Sequence, residues 1–387
     1  MTTKGSKKLI RDLNSTLVLQ TMINKRPISR ADLAKQTGLT KVTISTIVQD
    51  LIDRNILQEI GLDNTARGRK PTLLDLNAEA GYAISINIEV EKITAIQTNM
   101  LGENLMTTNC ETPSEADIPS TLSKIIYEMI EAQEETPYGL IGIALGIHGV
   151  VKDNEIMFTP NYNLAGMDLY GYIHEEFDTS VYLENEANLS VIGESLYLSD
   201  EYQNIANISV HSGVGLGFLI DRQLYRGLSG YAGEIGHTII EPNGRLCQCG
   251  NKGCLEQYVS QRSLVKLLRS KKNDDNLNFN SLVKLYKAGD GDAIDIIEDF
   301  INYMAICVNN ILNSYNPDVI TINSAFTDVY PRLVDDIAKS LNSRLNDVVN
   351  ILPSNLNSYA ILLGGATMVI KNFYNVDDMR FSPTEED

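Results

Sequence analysis

The 387-residue chain contains no tryptophan and only four histidines, and aromatic residues make up 7% of it. No indole can therefore take part in any site, and imidazole chemistry is confined to a few positions. No apolar run is long enough to cross a bilayer as a helix, and residues 1–8 lack the apolar segment of a signal peptide. The expectation is a cytoplasmic chain with no membrane partner. Five cysteines cannot all pair in disulfides, and Cys247, Cys249 and Cys254 crowd together, which suits a metal site better than a disulfide framework. What the chain does have is 43% hydrophobic residues, enough for two or three domains.

Charge is distributed unevenly. The net charge is −18, yet residues 1–76 carry +6 and the remainder −24. A basic head on an acidic body confines attraction for a polyanion to one end of the chain. Pattern within the head says more. Leu9, Leu13, Leu17 and Val18 recur at helical spacing in a first helix, and Ser29 with Asp32 three residues on can cap a second. Gly38 makes a turn and Thr40 opens a third helix, whose buried stripe is Ile44, Ile47, Val48, Leu51 and Ile52. Thr40, Lys41, Val42, Thr43, Ser45, Thr46 and Gln49 stay outside, a short polar face without carboxylates until Asp50, as a helix entering the major groove requires. A merely solvated face would carry Glu–Lys pairs. Behind it, residues 56–60 and 72–76 read as strands joined by a wing in which Arg67, Arg69 and Lys70 suit a narrow minor groove.

The body alternates strand clusters with helices, an α/β pattern, and the clusters after Tyr82 and Ile205 have the look of two related lobes. Residues 86–92, Ile86-Asn87-Ile88-Glu89-Val90-Glu91-Lys92, end one strand and begin the next, where a nucleotide-binding lobe would carry an Asp and two glycines to approach phosphate. Two carboxylates repel phosphate instead. Gly213, Gly215 and Gly217 would allow a second hairpin to approach a ligand, and in a kinase would face nucleotide phosphate. His237, Cys247, Cys249 and Cys254 satisfy a tetrahedral Zn²⁺ with no position left for water, so the zinc is expected to be structural. Asn185, Glu186, Glu234 and Glu256 stand at loop and zinc-site positions. Carboxylates and amides that each hold adjacent hydroxyls match a polyol better than an apolar ligand.

At Gly146-Ile147-His148-Gly149, Glu184-Asn185-Glu186-Ala187-Asn188, Gly233-Glu234-Ile235-Gly236-His237 and the run from Cys247 to Glu256, the body resembles the ROK family of bacterial repressors and sugar kinases. With the head included, nearly the whole chain is similar to the family's xylose-repressor branch. The resemblance implies an α/β fold with an N-terminal winged helix-turn-helix (1–76) followed by a two-lobed actin-like, ribonuclease H-like sugar-kinase body. The first lobe would take 77–198 with the C-terminal helix 358–379, and the second lobe 199–357 with the zinc site. It implies sugar contacts from Asn161, Asn185, Glu186, Glu234, His237 and Glu256, with His237 also a zinc ligand. It further implies operator DNA and a small sugar, D-xylose above all, as partners of a homodimer.

Three departures qualify the picture. Family kinases have Asp, the base for the sugar hydroxyl, where this chain has Glu186; the added methylene and the altered phosphate loop predict no phosphorylation. His148 stands where the family usually has Pro. Related repressors often carry a tryptophan after the position of Asn161, and this chain has none. The expected function is a sugar-responsive repressor. An active sugar kinase with an accessory DNA-binding head is the competing reading, separated by residues 87–91, and a ligand-free zinc scaffold is a third.

Overall fold

The computed structural model describes residues 7–62, 71–160, 163–199, 201–341, 350–379 and 381. Arg67, Arg69, Lys70 and Asn161 lie outside the described residues.

The head packs α1 (Lys7–Lys25), α2 (Arg30–Thr37) and α3 (Lys41–Asp53) against a three-stranded sheet of β1 (Ile28–Ser29), β2 (Leu57–Leu62) and β3 (Thr72–Leu76), ordered β1-β3-β2. The Ser29 hydroxyl accepts from Asp32 N, Gly38 closes α2 at φ 72°, and the Thr40 hydroxyl accepts from Thr43 N. Each cap satisfies a backbone group that the helix end leaves open. The helical spacing that marks α1 does not by itself give its buried face. Leu9, Leu13 and Leu17 are exposed, and the buried face of α1 is Val18, Leu19, Met22 and Ile23. Periodicity identified the helix, but both stripes are apolar and only packing selects between them.

Two five-stranded sheets follow. The first is ordered β10-β7-β4-β5-β6, from β4 (Tyr82–Ile88), β5 (Lys92–Asn99), β6 (Asn104–Glu111), β7 (Leu140–Ile147) and β10 (Val181–Asn185); a small hairpin of β8 (Val150–Lys152) and β9 (Glu155–Phe158) lies beside it. α4 (Ile118–Glu131) and α5 (Leu169–Phe177) cover one face. The second is ordered β13-β12-β11-β14-β15, from β11 (Ile205–Val210), β12 (Val214–Ile220), β13 (Gln223–Leu224), β14 (Val319–Ser324) and β15 (Asn350–Pro353). Its cover is α7 (Glu256–Val259), α8 (Gln261–Lys272), α9 (Phe279–Lys287), α10 (Gly291–Tyr315), α11 (Ala325–Val329) and α12 (Leu333–Lys339). In both sheets an antiparallel meander of three strands is followed by two parallel strands added on the other side of the first. The two lobes repeat one plan.

Between the sheets, α6 (Glu186–Ser195) packs against α13 (Tyr359–Tyr374), β11 and β12, while α13 returns to β4 and β7. Glycines permit this approach. A Cβ on Gly364 would stand 1.9 Å from the Leu189 carbonyl oxygen, and one on Gly193 2.1 Å from that of Ala360. Past α13, Val376, Met379 and Phe381 are buried in the same apolar cluster as the head's Val18 to Ile23 face. The Gln20 side chain of α1 donates to Asp378 O (2.7 Å) and accepts from the amides of Asp377 and Asp378.

Candidate functional site

Parallel register brings the first group of site residues together. Ile147 at the end of β7 pairs with Asn185 at the end of β10 and with Ile88 at the end of β4, so His148, Glu186 and Glu89 each follow aligned strand ends. Ligands of open α/β sheets commonly bind at such carboxyl ends. His148 Nδ1 lies 2.7 Å from Glu186 Oε1, both side chains largely shielded from solvent. The second lobe supplies the opposing wall. Gly213, in the β11–β12 turn, is so close that a Cβ there would meet Glu256 Oε2 at 3.0 Å and His148 Cε1 at 3.2 Å. A cavity of about 90 Å³ opens between the lobes, lined by His148, Asn185, Glu186, Glu234, His237 and Glu256, with Phe158 and Val150 as an apolar side. Five predicted sugar residues thus share one cavity.

The electrostatics set two kinds of carboxylate apart. Burial disfavours the charged form of Glu186, but His148 prevails and holds its carboxyl below the usual range. In return the Glu186 charge lifts the His148 imidazole, against burial, to about 9. Glu89 and Glu234 are pushed up, first by burial and, for Glu89, next by the charge of Glu186. Arg262 Nη2 stands 3.5 Å from Glu256 Oε1. His211, on the far side, is held below its ordinary value by burial, against the pull of Glu186. The cavity therefore carries a surplus of carboxylates, and its two cations, His148 and Arg262, face acidic partners.

The ligand atoms of His237, Cys247, Cys249 and Cys254 all lie within 4.8 Å of one another. Cys249 Sγ to Cys254 Sγ and Cys247 Sγ to His237 Nδ1 are each 3.6 Å. Metal–sulfur bonds of about 2.3 Å give a tetrahedral edge of roughly 3.8 Å, so the cluster fits one metal ion. Gln257 Nε2 lies 3.6 Å from Cys247 Sγ, within reach to orient it. With Nδ1 turned to the sulfurs, His237 Nε2 faces the cavity, 3.9 Å from Glu234 Oε2.

In the head, Thr40, Lys41, Val42, Ser45, Thr46 and Gln49 are exposed and Thr43 partly so, above the buried Ile44, Ile47, Val48 and Leu51; Ile52, expected in the same stripe, is only partly buried at its edge. Arg11 pairs with Asp50 at 2.8 Å.

Asn185 caps α6, its Oδ1 accepting from Ala187 N and Asn188 N, and its Nδ2 donates one hydrogen to Gly149 O at 2.6 Å, which leaves the second Nδ2 hydrogen for a ligand where the residue borders the cavity. Gly215 and Gly217 do not wait on a phosphate. A Cβ on Gly217 would lie 2.2 Å from the Ala187 carbonyl oxygen, so this glycine lets α6 seat on β12. Sequence reasoning missed Arg262 and Phe158, which lack any local signal. It noted His148 as a departure without seeing that register would bring it to Glu186.

The ROK family profile matches residues 83–372. The chain is 34% identical over 378 residues to the xylose repressor of Bacillus spizizenii, covering 96% of this chain and 98% of that protein. Among solved structures it is similar to a ROK family transcriptional regulator, a homolog of the E. coli MLC protein, with a TM-score of 0.82 at 24% identity over 95% of this chain and 97% of the other. A ROK family glucokinase from Streptomyces griseus, in complex with glucose and AMPPNP, gives 0.67 at 24% identity over 74% of this chain and 99% of its own. Those two likenesses establish the fold: a two-lobed body common to both, and a head shared with the regulator.

Proposed function

Because the chain belongs to the ROK family, we propose that it is a transcriptional repressor released from its operator by a small neutral sugar, D-xylose foremost. The observation that carries this is the convergence of Glu186, Glu234, His237 and Glu256 on one cleft in a chain whose α3 turns Lys41, Ser45, Thr46 and Gln49 to solvent, with carboxylates only in its last turn at Asp50 and Asp53. On this reading 1–76 reads DNA through α3 and through Arg67, Arg69 and Lys70, 77–198 with 358–379 forms the first lobe, and 199–357 the second. Two copies present paired recognition helices to half-sites about one helical turn apart. Asn161 joins the sugar contacts.

The metal is Zn²⁺ in a structural role. When bound it would supply fixed geometry to the loop between Glu234 and Glu256, both of which border the cleft. His237 would then hold its Nε2 proton toward Glu234 or a sugar hydroxyl. Phosphorylation is absent, because Glu89 and Glu91 stand in the turn where phosphate would sit and Glu186 replaces the kinase Asp.

Coupling to the head follows the C-terminal strap. Arg222, in the β12–β13 turn, lies 3.2 Å from Asp378 Oδ2, and Gln223 donates to Asp377 O, while Gln20 holds the same two residues from α1. Movement of the second lobe on sugar binding is thereby passed to α1. Sugar must favour the DNA-incompetent arrangement by several kcal/mol for a near-complete switch. The test is a melting-temperature panel of neutral pentoses and hexoses, repeated with DNA from the protein's own upstream region. A sugar that raises the melting temperature and releases the DNA supports the proposal; DNA binding unmoved by every stabilising sugar defeats it. Gln20→Ala is expected to keep sugar affinity and lose release.

A further inference from the structure

Neither the polyol pattern nor the metal cluster explains His148 in the cleft. It follows β7 directly, beside the aligned ends of β4 and β10, and its Nδ1 approaches Glu186 Oε1 at 2.7 Å with both side chains shielded. Around the imidazole stand Glu186 at the start of α6, Glu256 of α7, Arg262 of α8, Glu89 of the β4–β5 turn, Glu234 ahead of the metal loop, and His211 beyond β11. Four carboxylates face two cations there, and each cation already has an acidic partner.

We infer that His148 is a positioning residue that fixes Glu186 as a hydrogen-bond anchor for a neutral sugar hydroxyl and withdraws it as a base. The inference rests on the reading of the cleft as a sugar site. A protonated imidazole on Oε1 locks the carboxylate in one orientation and leaves Oε2 to accept from a ligand. The same charge stabilises the carboxylate, so Glu186 has little tendency to take up a hydroxyl proton. With both cations engaged, a phosphorylated or acidic sugar meets only excess negative charge. The elevated imidazole, about 9, keeps this arrangement charged at neutral pH.

The experiment compares the full-length parent with His148→Gln and His148→Ala, measuring affinity for neutral sugars and for glucuronate by calorimetry from pH 6.5 to 9.5, with imidazole titration by NMR. The parent is expected to bind a neutral sugar with steady affinity to pH 8 and to weaken as His148 loses its proton near pH 9. Gln, which donates but does not titrate, should stay within about threefold at pH 7.5 and show no alkaline decline. Ala should lose about tenfold or more, the usual range for a lost charged hydrogen bond. The His148 resonance should titrate far above 6.5 in the parent and return toward it in Glu186→Gln. Ala binding sugar as well as the parent, with the same pH profile, overturns this inference alone. A parent that no neutral sugar stabilises overturns the sugar site itself, and this inference with it. Preference for glucuronate over neutral sugar overturns the assigned ligand class.

Discussion

The two sheets repeat one strand order, yet their first hairpin turns have diverged in opposite ways. The β4–β5 turn carries Glu89 and Glu91, and Glu89 N closes it by donating to Lys92 O at 3.0 Å. The β11–β12 turn runs His211-Ser212-Gly213, with Gly213 pressed against His148 and Glu256; farther along β12, Gly217 lies against α6. The first turn holds a half-buried Glu89 beside Glu186 and His148 and an exposed Glu91; the second leaves little room for a Cβ at Gly213, because side chains lie where it would go. Glycine retention in a lobe of this kind thus reports packing as readily as a ligand.

The comparison can be tested from its largest consequence downward. Among the described residues such a metal cluster lies in the second lobe alone, so Cys249→Ser is expected to reduce bound zinc from about one per chain to near none and to cost several kcal/mol in that lobe. Elemental analysis with hydrogen exchange checks this, and equal loss of protection in both lobes would break the asymmetry.

At the seam, Glu194 of α6 accepts from the Ser354 hydroxyl across to the second lobe, and burial pushes its carboxyl up to about 7. An acid raised in the folded state binds more protons there than when unfolded. Stability should therefore fall as pH rises from about 4.5 to 7, by about 3 kcal/mol in all. Glu194→Gln should flatten that slope in denaturant titrations and stabilise the protein at pH 8.

The two hairpins predict unequal tolerance. Gly217→Ala should cost about 1–3 kcal/mol by overpacking against Ala187, whereas Glu91→Ala should shift stability by less than about 0.5 kcal/mol. Similar melting temperatures for the two would remove the packing argument.

The smallest expected effect is a null. On the proposed reading Glu186→Asp would supply the residue expected in a kinase of the family, yet it should produce no sugar phosphorylation, since Glu89 and Glu91 remain. Two unit charges about 4 Å apart repel by about 4 kcal/mol at an effective dielectric near 20, and a nucleotide brings several. Turnover of labelled ATP at kinase-like rates would return the chain to enzymology.

Local chemistry was enough to read the caps at Ser29 and Thr40, the buried stripe of α3, the recurrence of strand clusters and the set His237, Cys247, Cys249 and Cys254. Each depends on residues a few positions apart, so periodicity and spacing carry the information. Tertiary structure alone decided that Val18 to Ile23, rather than Leu9, Leu13 and Leu17, form the buried face of α1, because the choice belongs to the surface packed against it. It alone joined His148 to Glu186, 38 residues apart, through the common register of β7 and β10. It also set Gly217 to seating α6 on β12, a role that no neighbouring residue in the chain reveals. Sequence therefore determined which chemical groups the cleft could contain, and the alignment of parallel strand ends determined which of them meet.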